Sequence, residues 1–299
     1  MATSTPTTPA STLARSRTRS SRHSRDLVIT IIATTICILG MIVVLFPLAW
    51  MISTSLKTRA EVPKFPPIWI PAIPQWDNYR VALSPPNNFA VYFKNTMFYA
   101  VGAMLGELIS SSLVAYGFAR LRAPGKNTIF VLVLATMMLP GWVTLIPQYI
   151  MFSKVGWIDT FYPLIVPKFF GSAYLIFLLR QFYRSLPKDY EEAGLIDGAN
   201  FLGIWWRIIL PLSLPALGAV AIMSFMFHYS DFSGPLIYIT SQTNWTMSLG
   251  LQQFRAPFGG TAFNLLMAAS VTSILPPVVL FFLAQRYFIQ GIVVSGVKG

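Results

Sequence analysis

The chain is short of the residues from which most catalytic and metal centres are built. Among 299 residues there is one cysteine, Cys37, and there are two histidines, His23 and His228. A single thiol excludes a disulfide framework and a cysteine-rich metal site. Two widely separated histidines exclude the helical zinc motif with histidines one turn apart. Acidic residues number 10, and charged residues make up 11% of the chain, against about 25% in an ordinary soluble domain. That scarcity excludes a soluble globular enzyme, and it is equally unlike a disordered protein or a fibrous repeat. A phosphate-binding loop is also missing. Gly125-Lys126 comes nearest, but Arg120 stands where the first glycine is needed and Asn127 where a hydroxyl is needed for magnesium. There is no Gly-x-Ser-x-Gly elbow. The chain alone has no recognisable means of hydrolysing a nucleotide, and no cofactor is expected in it.

What is present is apolar sequence, at 55% of residues. Leu27 to Leu56, Asn127 to Ser153, Ile208 to Ser230 and Ala256 to Gln285 carry no Asp, Glu, Lys or Arg. Asn95 to Ala119 carries only Glu107, and Thr160 to Leu179 only Lys168. A helix needs about 20 mainly apolar residues to cross the hydrocarbon. Six spans are expected, near 27–52, 95–119, 128–152, 160–180, 208–230 and 262–285. A barrel would show short alternating segments, which these runs are not, so helices must satisfy the backbone in lipid. The expected fold class is all-α and polytopic, with the membrane domain over 26–299.

Basic residues set the orientation. The amino-terminal tail, the second-to-third connection, the fourth-to-fifth connection and the carboxy-terminal segment hold fourteen Lys and Arg, against seven on the opposite side. Both termini are therefore expected to be cytoplasmic, in a cell membrane. The net charge of +12 fits an anionic leaflet and not nucleic acid, because the basic residues are scattered in short loops. The first span is too long for a signal core and reads as an uncleaved helix. Residues 1–25, rich in Ser, Thr, Pro and Arg, are expected to be a disordered basic tail near lipid. The outer connection 57–94 has prolines at 63, 66, 67, 71 and 74, which argue against helix there; its Trp69 and Trp76 suit the membrane interface. Residues 231–255 form the other long outer loop.

The inner connection 181–207 is the only one on its side long enough for structure of its own. Residues 187–199 read as a short helix, capped by Ser185 or Asp189, with acidic residues in its first turn and Gly198 as its stop. Asn200 then caps a second helix, Phe201 to Ile209. Glu192, Leu195, Ile196 and Ala199 share one face. Such a face either lies on the membrane and its own bundle or enters a partner's groove. The carboxylate of Glu192 argues against lipid, and physics alone leaves the choice open.

This stretch resembles the EAA loop of permease subunits of ATP-binding-cassette importers. The family pattern of Glu-Ala-Ala, three residues, Gly, nine residues, Ile-x-Leu-Pro is met by Glu192, Ala193, Gly194, then Gly198, then Ile208, Leu210 and Pro211. The departure is Gly194 where the family has its second Ala, which implies a looser helix. Other stretches resemble carbohydrate-uptake permeases: Pro66-Pro67-x-Trp69-x-Pro71 with Asn78-Tyr79, Ala115 to Arg120, Leu178 to Phe182, Ser248 to Phe254, and Ala284 to Gly299. The likeness is to the smaller, six-span permease of maltose-type systems, over roughly 27–299. It implies the MetI-like fold of type I importers. It implies ATPase coupling through Glu191, Glu192, Ala193, Gly194, Leu195, Ile196, Asp197, Gly198 and Ala199, and an ATPase-contacting tail at Val297, Lys298 and Gly299. The implied partners are a second, homologous permease, two ATPase subunits that carry ATP and Mg2+, an extracytoplasmic substrate-binding protein, and membrane lipid.

Intramembrane charges mark bundle interiors or wet pathways. Glu107 and Lys168 are read as an ion pair, as pathway groups or as a proton relay. Tyr229, Ser230 and Asp231 stand where the family commonly has Trp-Asn-Glu/Asp, and are candidate pathway residues that depart from it. Gly102, Gly106 and Ser110 allow close helix contact, within this chain or with a partner permease. His228, near the outer end of the fifth span, reads as interfacial. Prolines at 140, 147, 163, 167, 211, 215, 276 and 277 are expected to break or kink spans. The expected function is one permease of an ATP-driven importer for a sugar or related polyol. An ion-gradient-driven secondary transporter using Glu107 and Lys168 is the alternative.

Overall fold

A computed structural model describes the backbone of residues 12–255 and 260–296, with side chains for 27–255, 260–283 and 285. The described residues are helical, with no strand among them. In chain order the helices are α1 (Thr12–Ser55), α2 (Asp77–Leu83), α3 (Phe89–Arg120), α4 (Lys126–Ala135), α5 (Gly141–Lys154), α6 (Tyr162–Ile165), α7 (Ala173–Ser185), α8 (Asp189–Ile196), α9 (Phe201–Ile204), α10 (Leu210–Leu212), α11 (Leu214–Tyr229), α12 (Ser233–Tyr238), α13 (Met247–Gly250) and α14 (Phe263–Gly296). A 3-10 turn, Val166–Phe170, follows α6, and a π turn, Trp205–Ile209, joins α9 to α10.

Four segments are long and apolar enough to cross a membrane: Leu27–Ser55, Phe89–Arg120, Tyr162–Ser185 and Phe263–Leu283. Two further pairs reach that length only when each bent pair counts as one span. Lys126–Met138 meets Gly141–Lys154 at 94°, and Phe201–Leu212 meets Leu214–Tyr229 at 83°. Six spans thus exist in this sense, but the expected 128–152 and 208–230 are not continuous rods. The first break is made by Leu139 and Pro140, both extended, because a residue before proline is pushed out of the helical region. The second falls at Ser213, between Pro211 and Pro215, which lack N–H donors. Ser213 Oγ donates to Ile209 O at 2.6 Å, so the turn keeps its carbonyl paired. The fourth span also pauses, at Gly171 (φ +90°) and Ser172, between the 3-10 turn and α7.

Two other expectations are corrected. Helix begins at Thr12, inside the tail expected to lack structure, because no proline and only one glycine interrupt the chain from there to Phe46. Residues 1–11 lie outside the described residues. The outer connection does hold a helix, α2, and α3 starts at Phe89; both fall in stretches free of the prolines at 63–74.

α3 is the central element, with α7, α11, the 166–170 turn, α6 and α13 packed round it. Three apolar clusters are strung along it. One holds Tyr116, Leu179, Tyr183, Trp205 and Ile209. The opposite end holds Phe89, Tyr92, Phe225, Tyr229 and Phe254. The third, at the side, holds Tyr99, Phe152, Leu164 and Tyr238. Gly102 and Gly106 of α3 are where the 162–170 segment comes close. A Cβ on Gly106 would lie 2.7 Å from the Phe169 ring, and one on Gly102 would lie 3.1 Å from Ile165. The small-residue stripe therefore serves packing within this chain at these two positions. α1 leans on α14, and its apolar residues from Leu27 to Phe46 are open along the outside.

The long loops 57–94 and 231–255 are pinned to helix ends. Asn78 Nδ2 donates to Ser55 O and Lys57 O at 2.8 and 2.9 Å, and Asn264 Nδ2 donates to Asn78 Oδ1 at 2.9 Å. One asparagine thus ties α1, α2 and α14 together. Trp69 meets Trp50 and Phe46 edge-on at 5.1 and 5.4 Å. In the last outer loop Gly250 permits contact with Tyr92, whose ring would be 2.2 Å from any added Cβ.

Candidate functional site: a buried polar chain and a braced loop helix

Two features of the bundle are built for more than packing. The first begins at Glu107, one helical face down α3 from Tyr99 and Ala103. Its carboxylate is 8% exposed. Oε1 stands 3.5 Å from Lys168 Nζ on the 166–170 turn. Oε2 accepts from Ser224 Oγ at 2.7 Å and lies 3.1 Å from His228 Nε2, both on α11. His228 Nδ1 is 3.2 Å from the Tyr99 hydroxyl, which donates to Asp231 Oδ2 at 2.8 Å. Asp231 Oδ1 accepts from Gly234 N at 3.1 Å. The chain therefore runs Lys168, Glu107, His228, Tyr99, Asp231, across three elements.

The Tyr99 hydroxyl donates to Asp231, and His228 stands between that hydroxyl and the Glu107 carboxylate, so the five side chains form one continuous polar chain.

Lys168, Tyr99 and Asp231 also reach the wall of a cavity of about 570 Å³, whose other lining is mostly apolar and includes the aromatics Phe152, Trp157, Phe170, Phe227 and Tyr238. The structure thus unites three of the five candidate pathway residues. Glu107 and Lys168 form the ion pair that was one of their readings. Asp231 joins them through His228 and Tyr99. Tyr229 is turned the other way, donating to Ser273 O of α14 at 2.7 Å, and Ser230 is exposed without lining the cavity. His228 is corrected from interfacial to fully interior, at 1% exposure. Ser224 and Tyr99 escaped the sequence reading. Their signal was there as spacing: Ser224 and His228 lie four apart on α11, and Tyr99 and Glu107 eight apart on α3.

The second feature is α8. It ends in a paired αL stop, with Gly198 at φ +80°, Gly198 N donating to Leu195 O at 3.0 Å and Ala199 N to Gly194 O at 2.9 Å. Asn200 Oδ1 then accepts from Gly203 N at 2.7 Å, capping α9 as expected. The expected amino-terminal cap is corrected. Lys188 holds the cap position with no side-chain bond, and Ser185 Oγ donates back to Phe182 O instead. The second helix reaches only Ile204 before the π turn takes over.

One side of α8 is fastened to the bundle. Glu191 lies 2.8 Å from Arg120 Nε at the end of α3, and Arg120 also donates to Leu186 O at 2.6 Å. Burial raises the Glu191 carboxyl above its ordinary value, while Arg120 and Lys188 pull it back. Gly194 is buried, and a Cβ there would lie 2.7 Å from Ile208 Cδ1. The departure from the family pattern at Gly194 is therefore a close-packing position, not a loosening of the helix. The other side is open: Tyr190 is 51%, Leu195 48% and Ile196 86% exposed, and Glu192, Ala193, Asp197 and Gly198 are exposed with them. Glu191 and Gly194 face the bundle, while most of the remaining coupling set faces out. Val297, Lys298 and Gly299 lie outside the described residues.

An all-helical bundle with broken spans, a polar chain at its centre and a braced, outward-facing loop helix defines a polytopic membrane transport protein. Residues 8–294 match the family described as "Binding-protein-dependent transport system inner membrane component", and the chain belongs to that family. It is 32% identical over 284 residues to the arabinooligosaccharides transport system permease protein AraQ of Bacillus subtilis (strain 168), covering 93% of this chain and 99% of that one. It is 34% identical over 268 residues to the trehalose/maltose transport system permease protein MalG of Thermococcus litoralis, covering 88% and 94%. It is 30% identical over 266 residues to the sn-glycerol-3-phosphate transport system permease protein UgpE of Yersinia pestis bv. Antiqua, covering 86% and 94%. Among solved structures it is similar to a bacterial ABC transporter involved in the import of the acidic polysaccharide alginate, with a TM-score of 0.78 and 22% identity over 88% of this chain and 98% of that one; this likeness concerns the fold. The chain is a membrane-embedded permease of an ATP-driven importer, a transport subunit and not an enzyme.

Proposed function

We propose that this chain forms half of the translocation pathway for a sugar or related polyol. A second, homologous permease supplies the other half. Two ATPase subunits, which carry ATP and Mg2+, drive the pair from the cytoplasm, and an extracytoplasmic binding protein delivers the substrate. The observation that carries the coupling role is α8, a helix riveted to α3 through Glu191 and Arg120 that nevertheless leaves Leu195 and Ile196 in the open. A face of that kind gains by entering a partner's groove; burying what is still exposed of both side chains is worth roughly 2–4 kcal/mol. The charge bias supports cytoplasmic termini and a cytoplasmic α8. The names of the relatives support the sugar class. Closure of the ATPases would move α8 as a lever and shift the two permeases between inward- and outward-facing states.

The test is a cysteine at position 196 in a Cys37→Ser background. A crosslink from that cysteine to a nucleotide-hydrolysing subunit is expected. Glu192→Ala is expected to reduce ATP-driven uptake while the binding protein keeps its affinity. Uptake that survives ATP depletion and collapses with the proton gradient would identify an ion-gradient-driven transporter instead.

A further inference from the structure

The cavity beside Lys168 has a charge pattern that restricts what it can hold. Its two charged lining residues are Lys168 and Asp231. Lys168 already faces Glu107 at 3.5 Å, and Asp231 is held by Tyr99 and Gly234. Among the described residues, the wall therefore offers a cation already facing Glu107 and a carboxylate. A phosphate or uronate entering it would meet Asp231 with no cation free to pair, and an unpaired charge in a poorly hydrated site is costly. An uncharged polyol pays no such penalty. Its hydroxyls both donate and accept, and so match Asp231, the amide of Gln148 and the lysine head. The cavity also has reachable aromatic faces: Phe170 is 82% and Phe227 69% exposed. A mostly apolar wall with a few fixed polar groups, at about 570 Å³, is the usual build of a small-molecule site.

We infer that this cavity is a subsite of the translocation path that takes uncharged sugar units and rejects acidic ones. Phe170 and Phe227 supply stacking surfaces, and Asp231 with Lys168 supplies the hydroxyl contacts. Glu107, His228 and Tyr99 are positioning residues that hold the two charged groups apart at the wall. The inference rests on the importer reading above.

The test uses the whole transporter in proteoliposomes with its binding protein. The probes are neutral arabino- and malto-oligosaccharides, oligogalacturonates and sn-glycerol 3-phosphate. Accumulation of a neutral probe is expected, with Phe170→Ala lowering its uptake about tenfold, the scale of one lost aromatic contact. The binding protein's own affinity for the probe should stay unchanged, since Phe170 belongs to a different subunit. Phe170 is exposed, so this variant keeps its fold. In a Cys37→Ser, Phe170→Cys variant, the transported neutral probe should slow thiol labelling at 170. Accumulation of an acidic probe, unchanged uptake by Phe170→Ala, or labelling that no transported sugar slows would each overturn the subsite. Absence of ATP-driven uptake for every probe would instead overturn the importer reading beneath it.

Discussion

Glu107 has a charged or hydroxyl partner on two neighbouring elements, so its removal is felt twice. Glu107→Ala leaves Lys168 and His228 facing a gap, and stranding one partner of a buried pair typically costs about 3–5 kcal/mol. Thermal unfolding of the detergent-solubilised protein should show a clear drop, with Glu107→Gln retaining part of the bonding and losing less. Asp159 offers a pH-dependent counterpart outside the spans. It sits at φ +64°, accepts from Thr240 N at 2.9 Å and from Ser241 N at 2.7 Å, and also accepts a hydrogen bond from the Ser241 hydroxyl. The Ser241 hydroxyl and amide, with Thr240, hold its carboxyl down to about 2 from 3.8. A lowered folded value stabilises above the unfolded one and fades as pH falls through the folded one. Hydrogen exchange at Thr240 and Ser241 should therefore show protection unchanged, after correction for intrinsic rates, from pH 7 to about 4 and weakening toward pH 2. Asp159→Ala should lack the protection throughout. The sequence exposed Glu107 and Lys168 because charge in an apolar run is conspicuous. It hid Ser224 and Tyr99, because a hydroxyl in such a run is ordinary until a carboxylate is seen beside it.

At the scale of elements, α8 carries two opposed demands, tight attachment and an open face. Gly194 meets the first. Gly194→Ala gains about 1 kcal/mol of helix propensity, yet its methyl would press on Ile208. Weaker ATPase association is expected from the single variant, measured by co-purification. Adding Ile208→Val should restore it by removing the methyl 2.7 Å away. Arg120→Ala should uncouple ATP hydrolysis from uptake by freeing Glu191. The helix stop at Gly198 and the cap at Asn200 were legible in the sequence, because both act through local backbone geometry. The sites of the breaks in the third and fifth spans were legible as prolines 140, 211 and 215, but their size was not. Proline announces a kink, but whether the chain bends by a few degrees or by 83° to 94° depends on what packs against each half. The role of Gly194 was invisible for a similar reason, since its neighbours Ile204 and Ile208 belong to the next helix.

For the whole molecule, the order of burial runs outward from α3 to α1. α1 has its apolar residues uncovered from Leu27 to Phe46, with Cys37 among them. In membranes, Cys37 should react with a lipid-soluble maleimide and resist a water-soluble one, and reaction with the latter would place α1 elsewhere. Composition alone foretold a helical membrane protein. The hub position of α3 came only with the structure, since nothing in its hydropathy separates it from its neighbours.

The brace at Arg120 has a mechanical meaning. From Arg120 to Glu107 is thirteen residues of proline-free helix, roughly 20 Å at 1.5 Å per residue. On the proposed coupling role, a push passed through the Glu191–Arg120 pair would reach the polar chain along one unbroken helix. The same rigid rod would be both the motor's pushrod and one wall of the sugar's chamber, so stroke and opening would keep a fixed ratio.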